Sequence, residues 1–496
     1  SIIDCTNRGT VDQASDPRTV NAGGICGFVR NAAESLSGNA NEGEVRIGGA
    51  VTLATVGGVY GSFGKAQTVA DAATTNRGGV TVSGIESIEG AYLRLGGIVG
   101  FAYPGTVLSN LTNAGDMTVD LQSKFSYYAV GGIAGSVECG ASSCVNEGSL
   151  RLNNNQLLTK GMCKIFVGGI VGINYRPTDD GPHIYEDCAN RAEIGFATTD
   201  NAFKVLPSFT GGILGYTEHP VEVRNCEGAA YINVNNANAK ENGIFTATGG
   251  IVGAVKGTAA LIEKCHVTAD MRHYQYNNTW DDPLSAANGG GIVGCALGAD
   301  EVNRIAITGC SCSGMVESKR SGAAGIVGYA RFSDISDCGF TGGIEGSGPH
   351  FAGGIAGTLA NSTIAGCTVK AKNIYGHNAS SPSLIGVSGI AAYVVGVSSV
   401  SDCKAYATLI RNSTVLGTED ASVTPDNLFG MGMIVGIDAG TTTVTNCGVG
   451  GSFYLGASEK PQELILTLDA DSYAKGIIGS GKTATVGGCY YWNGEE

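Results

Sequence analysis

The chain has 496 residues, 79 of them Gly and only 11 Pro, with 43% hydrophobic and 15% charged residues and a formal net charge of -14. Glycine at that level, without a Gly-x-y period or Pro enrichment, excludes collagen and disordered low complexity. The acidity argues against nucleic acid or an anionic membrane surface as partner, and the absence of any run of 18 apolar residues argues against a membrane-spanning helix.

In chain order, the first segment is Ile3-Asp4-Cys5-Thr6-Asn7-Arg8-Gly9, which reads as the second half of a repeat, so a leader and an N-terminal cap are expected upstream. Gly-Gly-Ile-Val-Gly or a close relative then starts at Gly23, Gly57, Gly96, Gly131, Gly168, Gly211, Gly249, Gly290, Ala324, Gly353, Ser388, Gly432 and Lys475. These thirteen copies have a mean spacing of about 38 residues, with individual spacings from 29 to 44, as expected of loops inserted between fixed strands. Position three is Ile in every copy except Val59, whereas position four varies through Cys26, Tyr60, Ala134 and Leu214. A uniform position beside a variable one is strand behaviour, and the glycines mark bends or close backbone approaches.

A second motif follows each copy, clearest in Ser143-Cys144-Val145-Asn146-Glu147-Gly148 and Asp187-Cys188-Ala189-Asn190-Arg191-Ala192. Eleven of fourteen such slots hold Cys (5, 144, 188, 226, 265, 310, 338, 367, 403, 447 and 489); the others hold Asn39, Thr74 and Leu111. Apolar residues stand three before the slot (Leu108, Ile262, Val444) and six after it (Val80, Leu150, Phe453). This pattern predicts a strand, a tight Asn-x-Gly turn and a second strand.

One such repeat is too thin to bury its own apolar side, so copies must stack. The sequence therefore predicts an all-β protein, a parallel β-solenoid or β-helix of about thirteen coils, as a single repeat domain over 1–496. Ile, Val and Cys ladders should run along it. A propeller of thirteen blades is the weaker competitor, and the scarcity of 3.6-period apolar stretches excludes helical repeats. A cysteine slot that also accepts Leu111 behaves as a small hydrophobe, so free buried thiols are expected rather than a disulfide ladder.

The six His residues are scattered and form no metal signature, so neither metal nor cofactor is expected. The glycine strings lack the Lys of a phosphate loop and recur thirteen times, which marks scaffold. The inserted loops are the places for a ligand. The richest runs from Arg272 to Pro283, where Tyr274, Tyr276, Trp280, Asp281 and Asp282 combine aromatic faces with carboxylates, a set suited to sugar rings. The plainer alternative is that these aromatics cover the side of the solenoid. A second loop, Tyr175 to His183, carries Asp179 and Asp180, which could act as paired carboxylates or form an ordinary Asp-Asp-Gly turn.

Gly-Gly-Ile-Val-Gly followed by Asn/Asp-Cys-x-x-x-Gly-x-Val resembles the GLUG-type repeats of bacterial adhesin-like surface proteins; Gly249 to Val252 with Lys264-Cys265, and Gly353 to Ala356 with Gly366-Cys367, show it well. The resemblance implies secretion, display on a bacterial cell surface and adhesion, and brings no catalytic residues. The functional expectation is a noncatalytic, monomeric interaction protein that presents loops to a glycan or an extracellular protein ligand. The alternative is a carbohydrate-active enzyme, glycosidase or lyase, which would need two carboxylates from neighbouring coils converging over a groove.

Overall fold

The structure, a computed structural model, describes residues 1–496 apart from 14–18, 33–34, 122–124, 155–163, 176–180, 199–207, 237–245, 276–286, 320–321, 346–350, 379–384, 414–429, 458–459, 482–483 and 496. The chain falls into two compact units, Ser1–Val255 and Lys256–Glu496. Each is a parallel β-solenoid with three faces per coil, and no α-helix occurs among the described residues.

In the first unit, the first face is built from the strands that follow Gly-Gly-Ile: Cys26–Val29, Tyr60–Phe63, Val99–Ala102, Ala134–Val137, Val171–Asn174 and Leu214–Thr217, each parallel to the next. The second face carries the strands that approach the cysteine slot, from Thr68–Ala70 to Val221–Arg224. The third face runs from the slot to the next Gly-Gly, as in Thr112–Asn113, Met117–Asp120 and Phe125–Gly131. The Ile ladder is present: Ile98, Ile133, Ile170, Ile213 and Ile251 are all 0% exposed. Successive backbones bond in register, with Ile98 N–H donating to Ile133 O at 3.0 Å and Ile133 N–H to Ile170 O at 3.0 Å. At position four, Tyr60, Ala134 and Leu214 are buried as fully and differ in size and not in exposure, whereas Cys26 is half-buried.

The second unit repeats the plan. Its first face runs through Val293–Leu297, Val327–Arg331, Ala356–Ala360, Ala391–Val395, Val435–Asp438 and Ile478–Ser480. Its second face runs from Ala260–Glu263 to Thr485–Gly487. Among the described residues one pairing departs from the parallel plan: Gly448–Ala457 pairs antiparallel with Lys460–Leu468.

Close approach explains the glycines of the motif. A Cβ on Gly132, the second glycine, would lie 2.1 Å from Gly169 O and 2.3 Å from Asn146 Cγ. At Gly172, the fifth position, it would lie 2.6 Å from Val130 N in the coil before. Two of these obstacles are backbone atoms and the third, the Asn146 amide, is held by hydrogen bonds on both sides, so a larger residue has nowhere to go.

The asparagine of the second motif does more than turn the chain. Its amide points inward and forms a continuous ladder: Asn7, Asn41, Asn76, Asn113 and Asn146 each donate Nδ2–H to Oδ1 of the asparagine one coil on, the last being Asn190, at 2.8, 2.8, 2.7, 2.8 and 2.9 Å. The second amide hydrogen goes to the carbonyl two residues ahead, for example Asn113 to Gly115 O at 3.0 Å. Buried amides are tolerated only when bonded in this way. The ladder stops at Gly228, which pairs with Asn190. In the second unit the same position is Val267, Cys312, Phe340, Val369, Ala405 and Val449, so this column is apolar there.

Immediately before the cysteine slot the backbone bends through the left-handed region. Asp4, Asn110, Ser143, Asp187, Asn225, Lys264, Asp337, Asp402 and Asn446 have φ between 50° and 56°, and Gly38, Gly309, Gly366 and Gly488 share the corner. Only Gly and the short polar Asn and Asp adopt this conformation readily, so Ser143 and Lys264 are the odd members, Lys264 being the bulkier. The described cysteines are all free thiols, buried except for the half-buried Cys5, Cys26 and Cys489. Each ladder thiol lies against the carbonyl two residues earlier, as Cys338 does at 3.2 Å from Ser336 O. Burial pushes the Cys139 and Cys312 thiols up to about 12, so they stay protonated and unreactive.

Candidate binding surface

Of the residues singled out in the Arg272–Pro283 loop, Tyr276, Trp280, Asp281 and Asp282 lie outside the described residues. Tyr274 lies in the strand Met271–Gln275, with the Arg272 guanidinium 5.0 Å from the centre of its ring and its hydroxyl donating to Glu317 on the next coil. Arg272 also pairs with Glu317 at 2.8 Å. The cation, ring and carboxylate thus satisfy one another across two coils. Between Arg272 and Tyr274, His273 faces inward at 0% exposure, and desolvation brings its pKa down to about 4. Asp179 and Asp180 also lie outside the described residues.

An aromatic surface elsewhere in the first unit went unnoticed in the sequence. Stacking sets Tyr92 and Tyr127 in register on neighbouring strands, with ring centres 4.8 Å apart, and brings Tyr175 to 6.4 Å from Tyr127. Tyr92 and Tyr175 are each 41% exposed. Arg94 donates from Nε to the Tyr127 hydroxyl at 2.9 Å and lies 4.5 Å above the centre of the Phe101 ring. Behind them, Phe166, Phe209 and Tyr216 pack at 4.7 to 5.6 Å and are nearly buried, which stiffens the floor. Burial raises the Tyr127 phenol above its usual value, with Arg94 opposing it, so the hydroxyl is neutral at physiological pH and keeps a hydrogen to donate.

Two further residues flank this row. The first-face strands pair Ala102 with Val137 and Val137 with Asn174, which lines up the following residues Tyr103, Glu138 and Tyr175 on successive coils. Tyr103 is 43% exposed. Glu138 also lines an open cleft of about 480 Å³, whose other walls include Val107, Leu108, Ala141, His183 and Ile184. Beside this cleft two histidines that seemed scattered in sequence are stacked with centroids 4.0 Å apart: His183 donates from Nδ1 to Asn174 Oδ1 and His219 from Nε2 to Gly181 O, both at 3.0 Å. They are 36 residues apart, close to one repeat, and that separation is the signal that was available.

Exposed aromatic faces, a guanidinium, a carboxylate and an adjoining apolar cleft form a surface on which a ring with apolar faces and hydroxyl edges can lie. No group of three or more potential metal ligands occurs among the described residues. Comparison with protein-family models, with curated proteins and with solved structures finds no match to this chain.

Proposed function

We propose that this chain is a noncatalytic interaction protein that binds glycan on a rigid β-solenoid. The observation that carries the reading is the Tyr92, Tyr127 and Tyr175 row, held by stacked coils with Arg94 bonded into it. Pyranose C–H faces stack on such rings, and Arg94 and Glu138 supply a donor and an acceptor for hydroxyl groups. Because the rings are fixed by the backbone ladder, little side-chain freedom is lost on binding. The resemblance to GLUG-type adhesin repeats supports this reading: the protein would act outside the cell, on a bacterial surface, and as a monomer it would face a glycan or a glycosylated extracellular protein.

A glycan array probed with the wild type and with Tyr127→Ala and Trp280→Ala variants tests the reading. Loss of binding in Tyr127→Ala with retention in Trp280→Ala assigns the ligand to the tyrosine row; the reverse assigns it to the 272–283 loop. An array left blank by folded wild-type protein ends the glycan reading.

A further inference from the structure

In a chain with 44 acidic and 30 basic residues, one outer patch of the second unit is cationic. Lys370 and Lys372 lie on Thr368–Asn378 and are exposed, and half-buried Lys404 lies on Lys404–Ser413. No carboxylate among the described residues pairs with any of the three. Instead the Lys370 and Lys404 ammonium groups stand 5.4 and 5.6 Å from the centre of one ring, that of Trp492.

Glycines make this arrangement possible. Lys404 is in register with Gly448 and Gly448 with Tyr490, while Tyr406 is in register with Gly450. With no side chains at 448 and 450, Tyr490 folds over the first and Tyr406 leans over the second: a Cβ on Gly448 would lie 2.9 Å from the Tyr490 ring, and one on Gly450 2.8 Å from the Tyr406 ring. Trp492 is only 7% exposed, its ring edge-on to Tyr406 at 6.5 Å and its Nε1–H given to Glu495 O. Tyr406 and Tyr490 remain 40% and 41% exposed.

Two ammonium groups converging on one indole, flanked by two open phenol rings, make a site for an anionic group carried on a ring. We infer that this patch binds an acidic saccharide, in which a carboxylate or sulfate sits between Lys370 and Lys404 and the sugar face stacks on Tyr406 or Tyr490. Single-stranded nucleic acid shares these features but needs a basic track along many phosphates, and the net charge of -14 opposes it. The site is independent of the tyrosine row in the first unit.

The test is calorimetric titration of the full chain with a heparin tetrasaccharide, a hyaluronan tetrasaccharide, a neutral dextran oligosaccharide and a dT oligonucleotide. Binding of at least one acidic saccharide is expected, with a change in tryptophan emission that Trp492→Phe abolishes. Lys370→Gln/Lys404→Gln should weaken it at least tenfold while leaving far-UV circular dichroism unchanged, and Tyr127→Ala should leave it intact. No binding of either acidic saccharide, binding untouched by the double variant, or equal and equally lysine-dependent binding of the oligonucleotide each overturns the inference.

Discussion

The side-chain amide of Asn76 donates to Oδ1 of Asn113 at 2.7 Å across one coil, with both amides at 0% exposure. Each link is satisfied only if the next coil is in register, because Asn113 must in turn donate to Asn146. A one-residue slip would leave buried amides without partners on both sides of the fault.

Asn113→Ala removes one rung and strands the Asn76 donor and the Asn146 acceptor. A loss of about 1–3 kcal/mol is expected in urea or thermal denaturation. A change below about 0.5 kcal/mol would show that the ladder contributes no register energy.

Gly132→Ala places a methyl group against Gly169 O and the Asn146 amide, and should cost about 3 kcal/mol or yield no folded protein. Gly339 has nothing within 4 Å of the corresponding point and φ outside the left-handed region, so Gly339→Ala should be close to neutral. Equal outcomes for the pair, measured by denaturation, would refute the close-approach account.

Lys264 holds a left-handed corner that its counterparts assign mostly to Asp, Asn or Gly. Lys264→Asn should stabilise the protein by roughly 1 kcal/mol, since its contact with Glu263 is exposed and adds little. A lower melting temperature in the variant would contradict this.

His273 titrates near 4 when folded because burial disfavours its charged form. The unfolded chain, with an ordinary histidine near 6.5, binds the proton first, so the stabilisation present above that pH is lost as pH falls from about 6.5 towards 4. The loss should approach about 3 kcal/mol by pH 4 and be absent from His273→Leu, as read from denaturation midpoints at pH 7.5 and 4.5. Parallel pH profiles for the two proteins would rule the effect out.

For the cysteines, alkylation of native protein should label Cys5, Cys26 and Cys489 ahead of the others. In denaturant, without reductant, the remaining described thiols should label as well. Resistance in denaturant that reductant relieves would mean disulfides.

The Ile and Cys ladders were legible because a near-identical environment in each coil leaves the same residue in most repeats, with Val59 the exception for Ile and Asn39, Thr74 and Leu111 for Cys. The asparagines were visible only as turn formers, since nothing in one repeat tells an inward amide from an outward one. The left-handed corner left a readable trace, Asp, Asn, Ser or Gly just before the slot, that was overlooked beside the cysteine itself. The tyrosine row was hidden for a different reason: Tyr92 and Tyr127 lie 35 residues apart and Tyr175 another 48, and unequal insertions turn a spatial column into irregular spacing. The strand Lys460–Leu468, which pairs antiparallel with the repeat strand Gly448–Ala457, lies in an insertion, where the repeat imposes no pattern.

The asparagine column that ends at Gly228 gives the two halves of the chain different rules for exchanging parts. A coil copied from one place to another among residues 7–190 brings an amide that finds a donor above and an acceptor below. The same coil grafted beside Val369 or Ala405 would bring an amide into hydrocarbon. Growth by duplication is thus easy within either stretch and penalised across them, and designed extensions should take their spare coils from the same stretch they lengthen.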